Sequence, residues 1–266
     1  MIKTVYKEAL SVLAKKPIRL WGISLLSALL GGVFGALFGI IPGVALAISL
    51  LLETGMTMVF LHGFRGEQVY AVHLFDCFHD WGTIKRVLCG MGWMMLWLFL
   101  WSLIPIVGWI FAIIRAYAWR LTPYILVQEP DIAPTQAIKV SAQRTRGFKG
   151  KMFWADVLPF VALCVVSIVL GLLGLIPYIG VLFKIILVIV AIIFMLFVGL
   201  FLGLVQAGFY EEINAANAAA QAQLEAAARA QEEAAAAYAA THRICPNCGA
   251  EVATGAFCSN CGAKME

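Results

Sequence analysis

Charged side chains are scarce in this chain: Asp, Glu, Lys and Arg together make up 13% of its 266 residues. A soluble domain carries about twice that share. With 62% apolar residues and a mean hydropathy of +0.91, the composition excludes an ordinary water-soluble fold. The signatures of several chemistries are missing too. No HExxH pair, no GxSxG elbow and no glycine-rich phosphate loop occurs, so metalloprotease, serine-hydrolase and P-loop mechanisms have no residues to run on. The expectation is a protein that is not an enzyme. Nor is there a basic patch near the C-terminus, where Arg243, Glu251, Lys264 and Glu266 cancel. Phosphate binding needs such a patch, so nucleic acid is not an expected partner.

What is abundant is long apolar sequence. Six runs, most of them 18 to 25 residues long, occupy roughly 20–41, 43–64, 87–104, 106–127, 153–175 and 181–208. At about 1.5 Å of rise per residue, such runs match the hydrocarbon thickness of a bilayer. The first follows a basic N-terminus, and "ALA" at 45–47 has the small residues of a signal cleavage site. The apolar stretch is too long for a signal peptide, however, and five more follow, so it is read as a retained span. The fold class is therefore an all-α membrane protein with six transmembrane helices.

The distribution of Lys and Arg orients these helices. Lys3, Lys7, Lys15, Lys16 and Arg19 precede the first span; Arg65, Lys85 and Arg86 follow the second; Lys139, Arg144, Arg146, Lys149 and Lys151 follow the fourth. The alternate connections, "IIPG", "LIPIVGW" and "LIPYIG", have no basic residue. By the positive-inside rule both termini are cytoplasmic. Lys184, near the outer start of the sixth span, is the one exception, and its long side chain can snorkel to the interface.

The outer connections also define a repeat. Pro42, Pro105 and Pro177 each follow Ile and precede a Gly within a few residues, a composition suited to a tight reversal. Each hairpin is preceded by a basic, amphipathic stretch, and the second is clearest. At α-helical spacing Leu74, Phe75, Cys77, Phe78 and Trp81 share one face, and His73, Asp76, His79 and Asp80 the other. Three units of in-plane cytoplasmic helix plus transmembrane hairpin are expected. His73, Asp76 and Asp80 stand at metal-ligand spacing, but a solvated polar face is the favoured reading. Gly31, Gly35 and Gly39, and likewise Gly199 and Gly203, recur every fourth residue. They mark smooth faces for helix packing, within one chain in preference to a dimer seam. Cys77, Cys89 and Cys164 are expected to pack as small apolar residues.

Charges inside the spans are the sharpest intramembrane feature. Glu53 lies eleven residues after Pro42, and Arg115 ten after Pro105, so both sit at about 15 Å depth. An unpaired charge there costs about 2.5–3.5 kcal/mol. Matching depth and opposite sign suggest an ion pair, the alternative being separate partners for each. Arg120, closer to the cytoplasmic edge, is a weaker candidate partner because it can snorkel.

The segment "AIIRAYAWRLTPYILVQEPDIAPTQAIKVSAQRTRGFKGKMF" resembles the bacterial integral-membrane family called domain of unknown function 975. Arg115 with Tyr117, "LTPYIL", Pro130-Asp131, "QAIKVS" and Gly147 carry the likeness, supported by "FRGEQ", "HLFDCF" and "FYEEI". It covers about 1–213 and is strongest from 111 to 153. The resemblance implies a bacterial cytoplasmic-membrane protein and no particular chemistry.

Beyond residue 213 the composition changes. Sixteen alanines occupy the twenty-eight positions of 214–241, with Glu225 four residues before Arg229. This spacing predicts a helical spacer over 214–242, without the large apolar heptads of a coiled coil. It would hold the last segment, 243–266, away from the bilayer. There Cys245, Cys248, Cys258 and Cys261 form C-x2-C-x9-C-x2-C, and Gly249 and Gly262 follow each pair. Two thiolates per tight turn, presented twice, suit a tetrahedral structural Zn2+ site of the ribbon type. Paired disulfides would need an oxidising compartment, which the cytoplasmic side is not. Two functions fit this layout. One is a scaffold in the lipid bilayer whose ribbon binds a cytoplasmic protein; the other is a transporter or channel built around the intramembrane charges. A lipid-modifying enzyme is a distant third.

Overall fold

The computed structural model describes residues 1–15, 17–38, 42–176 and 180–265. Among the described residues every element up to residue 241 is a helix: α1 (Ile2–Lys15), α2 (Pro17–Phe38), α3 (Pro42–Phe64), a 3-10 helix (Ala71–Phe78), α4 (Trp81–Ser102), α5 (Val107–Ala118), α6 (Thr122–Gln128), α7 (Pro134–Arg144), α8 (Lys149–Leu173) and α9 (Gly180–Thr241). Six segments are long and apolar enough to cross a membrane: Ile18–Phe38, Gly43–Phe64, Trp81–Ser102, Val107–Gln128, Lys149–Leu173 and the apolar part of α9. The third and fifth begin several residues earlier than the hydropathy suggests; the third does so because polar Asp80 caps α4 by accepting from the Thr83 N–H at 3.1 Å. The reversals expected at 39–41 and 177–179, and Gly39 with them, lie outside the described residues. The chain divides into two compact units, Met1–Asn214 and Ala215–Glu266.

In the first unit the buried side chains concentrate where the basic segments are. Val5, Leu20, Leu61, Leu74, Ile125 and Leu204 are fully covered. The opposite halves of α2, α4, α5, α8 and α9 carry exposed Leu, Ile, Val, Phe and Trp, the surface that lipid chains contact. Between helices in lipid, close approach and polar contacts matter more than apolar burial. Gly203 and Gly208 supply close approach, since a Cβ there would stand 2.3 Å from the Phe60 ring and 2.7 Å from the Phe64 ring. Gly31, Gly35 and Gly199 do not, having no atom of another element within 4 Å of that position. Among the described glycines of the expected sets, close packing within the chain is thus a property of Gly203 alone.

Three local departures from straight α-helix have identifiable causes. The fourth span is two helices, because Pro123 lacks an N–H and its ring excludes the Trp119 carbonyl from helical geometry. Side chains of α7 satisfy the freed backbone: the Ser141 hydroxyl donates to Ala118 O (3.0 Å) and accepts from the Leu121 N–H (3.1 Å), and Thr145 donates to Ala118 O (3.0 Å). The α7 segment is thus two-faced: Ala137, Ile138, Ser141 and Thr145 are buried on one side, and Thr135, Gln136, Lys139 and Gln143 are exposed on the other. Pro159 likewise removes a donor within α8, and the orphaned Ala155 carbonyl accepts the Tyr6 hydroxyl of α1. Finally, the amphipathic stretch at 71–78 is a 3-10 helix, not an α-helix. At three residues per turn, Leu74 and Cys77 form the buried column while Phe75 and Trp81 face outward at 42% and 66% exposure. Burial pushes the Cys77 thiol up to about 12. Cys89 and Cys164 are exposed on α4 and α8, not packed inside.

In the second unit the Ala-rich part of α9 carries the expected Glu225–Arg229 pair, at 4.0 Å and largely solvated. It leads into an antiparallel hairpin of β1 (His242–Ile244) and β2 (Glu251–Ala253), paired His242 to Ala253 and Ile244 to Glu251.

Candidate metal centre and intramembrane cavity

Two nearly identical knuckles build the cysteine site. Residues thirteen apart play the same part in "CPNCG" and "CSNCG". In each, the glycine N–H closes on the first cysteine's carbonyl at 2.9 Å, and Gly249 and Gly262 take φ of +68° and +70°, where a side chain would be strained. The amides of Asn247 and Asn260 cross over, each donating to a sulfur of the other knuckle at 3.7 Å: Cys261 and Cys248 respectively. All four Sγ atoms lie within 4.8 Å of one another. Cys245–Cys261 and Cys248–Cys258 are 3.7 Å apart, against about 3.8 Å for the edge of a tetrahedron with metal–sulfur bonds of about 2.3 Å. The Ala263 N–H and the Asn247 amide pull the Cys261 thiol down to about 6, while its neighbour Cys245 is pushed up to about 11; a bound cation would hold all four as thiolates. The four cysteines can therefore hold a metal ion. Around them Ile244 and Phe257 remain exposed at 72% and 65%.

Within the first unit, a cavity of about 370 Å³ is lined by Glu53, Thr57, Tyr117, Arg120, Asp156 and Gln206 among others. Arg120 is ion-paired to Asp156, whose carboxylate also accepts the Tyr117 hydroxyl at 2.9 Å. Both charged side chains are mostly buried, 18% and 16% exposed. Arg115 points elsewhere: it lies over the Trp119 ring at 5.8 Å and lines a separate space of about 350 Å³ with Trp93, Trp97, Trp101 and Lys139.

The chain matches no family model, no curated protein and no solved structure.

The site residues read from the sequence are thus distributed over two places. The four cysteines converge. Glu53 shares its cavity with Arg120 and not with Arg115, and no ion pair joins Glu53 to Arg115. Equal depth fixes height in the membrane and leaves open which helices face each other. Asp156, near the edge of its span, is absent from the sequence-based set; its place one helical turn after Met152, which is buried, is the available signal. The motifs that carry the family resemblance also meet. Arg65 of "FRGEQ" pairs with Glu211 of "FYEEI" at 2.7 Å, Glu129 takes a two-pronged contact from Arg144, and Tyr124 stacks on Tyr210 at 4.7 Å. Of the candidate trio, Asp80 is occupied as the α4 cap. His73 and Asp76 instead join His62 of α3, three ligand atoms within 4.8 Å. His62 also contacts Glu67, whose carboxyl that contact holds below its ordinary range.

Proposed function

We propose that this chain is a multi-pass protein of a bacterial cytoplasmic membrane that acts as an adaptor. A C-terminal zinc ribbon on the cytoplasmic side would bind a protein partner. The closed cysteine set carries the reading: four thiolates fill every position of a tetrahedral ion and leave none for a catalytic water. Sulfur ligands at that spacing favour zinc over harder cations, and exposed Ile244 and Phe257 offer the apolar contact a partner needs. The basic edges and the resemblance to the domain of unknown function 975 family support the membrane and the orientation, with a division into 1–213, 214–242 and 243–266.

A second reading, transport of a small polar solute or ion, is favoured by one observation, the charged cavity holding Glu53, Arg120 and Asp156. Charges inside a span commonly mark a pathway. One comparison separates the two. A photo-crosslinker at Phe257 in intact cells should give a discrete protein adduct that C245S/C248S abolishes. Absence of any adduct would overturn the adaptor reading. A solute flux in reconstituted vesicles, falling at least about tenfold in Arg120→Gln (about 1.4 kcal/mol), would establish transport in its place.

A further inference from the structure

Helix α3 ends in a turn that returns the chain onto its own last residues. The Glu67 N–H bonds to His62 O at 3.0 Å and the Gly66 N–H to Gly63 O at 3.2 Å, with Gly66 at φ +79°. This paired closure brings residue 67 beside residue 62, and the Glu67 carboxylate meets His62 Nδ1. A carboxylate only accepts, so Nδ1 carries the proton, and in the neutral ring the Nε2 lone pair faces the other way. Facing it is the 3-10 helix, seated directly on α3 at Gly55, where an added Cβ would fall 2.1 Å from Leu74 O. Gly55 and His62 are seven residues apart and therefore share a helix face. Three residues per turn put His73 and Asp76 in one column of the 3-10 helix, above His62. The two imidazoles stack at 4.2 Å, and Asp76 Oδ2 lies 3.4 Å from His73 Nδ1 and 4.0 Å from His62 Nε2.

We propose that His62, His73 and Asp76 form a second metal site, taking a divalent first-row transition ion, with Glu67 as the positioning residue. Two imidazoles select such an ion over magnesium or calcium. With metal bonds of about 2.0–2.2 Å to nitrogen and oxygen, ligand atoms about 3.4 Å apart span a tetrahedral edge. The His73–Asp76 distance has that value; loading the site requires the His62–Asp76 distance to close from 4.0 Å and the stacked rings, 23° from parallel, to turn so that both nitrogens aim at the ion. Glu67 supplies what ligating histidines ordinarily have, a carboxylate on the far ring nitrogen. Three protein ligands leave at least one position open, unlike the closed cysteine set. This site stands independently of the ribbon and of either functional reading.

The test uses full-length protein in detergent, stripped of metal and reloaded with Co2+. Two equivalents should bind, one giving intense thiolate-to-cobalt absorption and the other only the weak bands of nitrogen and oxygen ligation. C245S/C248S should keep the second equivalent alone. In that background H62A/H73A should lose it, Glu67→Gln should weaken it about 10–100-fold, and Asp80→Asn should leave it unchanged. Should H62A/H73A fail to give a cooperative thermal transition, Asp76→Asn decides in its place, with loss of the equivalent expected. If C245S/C248S binds no cobalt, or the histidine variant binds as tightly as its parent, the proposal is overturned.

Discussion

The carbonyl of Ala155 has no helical partner because residue 159 is proline, and the Tyr6 hydroxyl stands in for the missing N–H. An unpaired carbonyl in the buried surroundings of Ala155 costs about 1–3 kcal/mol. Tyr6→Phe should therefore lower stability in detergent by about 1–2 kcal/mol. Coupling makes the prediction specific: with Pro159→Ala the helix regains its own donor, and Tyr6→Phe should then cost less than half as much. Equal losses in both backgrounds, read from thermal or denaturant unfolding, would contradict the assignment. At this scale the cysteine set was legible from the sequence because its geometry is local, two turns of four residues each. The Arg120–Asp156 pair joins residues 36 apart, and nothing in their spacing shows that their helices touch.

Helices divide in the same way between what periodicity can show and what a neighbour decides. The spans were legible because hydropathy over twenty residues is a sum, insensitive to any one contact. The break at Pro123 was not expected from the run at 106–127, although a proline inside a span frees a carbonyl wherever it stands. The 3-10 geometry of 71–78 was not, as it depends on how closely its backbone sits on Gly55. Glycines on two spans test that difference. At Gly55 an added methyl meets a backbone carbonyl that cannot rotate away, so Gly55→Ala should destabilise by about 1–3 kcal/mol. At Gly31 the space is open, so Gly31→Ala should leave stability unchanged or raise it slightly. Equal costs for the two, measured in the same detergent, would show that the 3-10 helix does not rest on α3 as described.

On the scale of the whole molecule the account rests on six crossings and their direction. In the proposed topology an even number of crossings would place both termini on one side, and the basic residues at 1–19, 65–86 and 139–151 would select the cytoplasmic side. That sidedness underlies the zinc assignment too, because a reducing compartment keeps the four thiols free for metal. The six apolar helices were legible in the sequence through composition alone, whereas the cavity, the clustering of the family-like motifs and the His62–His73–Asp76 group depend on contacts between distant segments. The most direct test is a pair of topology reporters, one fused after residue 266 and one inserted at the Pro105 turn. The terminal reporter should read cytoplasmic and the turn reporter external. A terminal reporter that reads external would contradict the six-span orientation and, with it, the reducing environment on which the zinc ribbon depends.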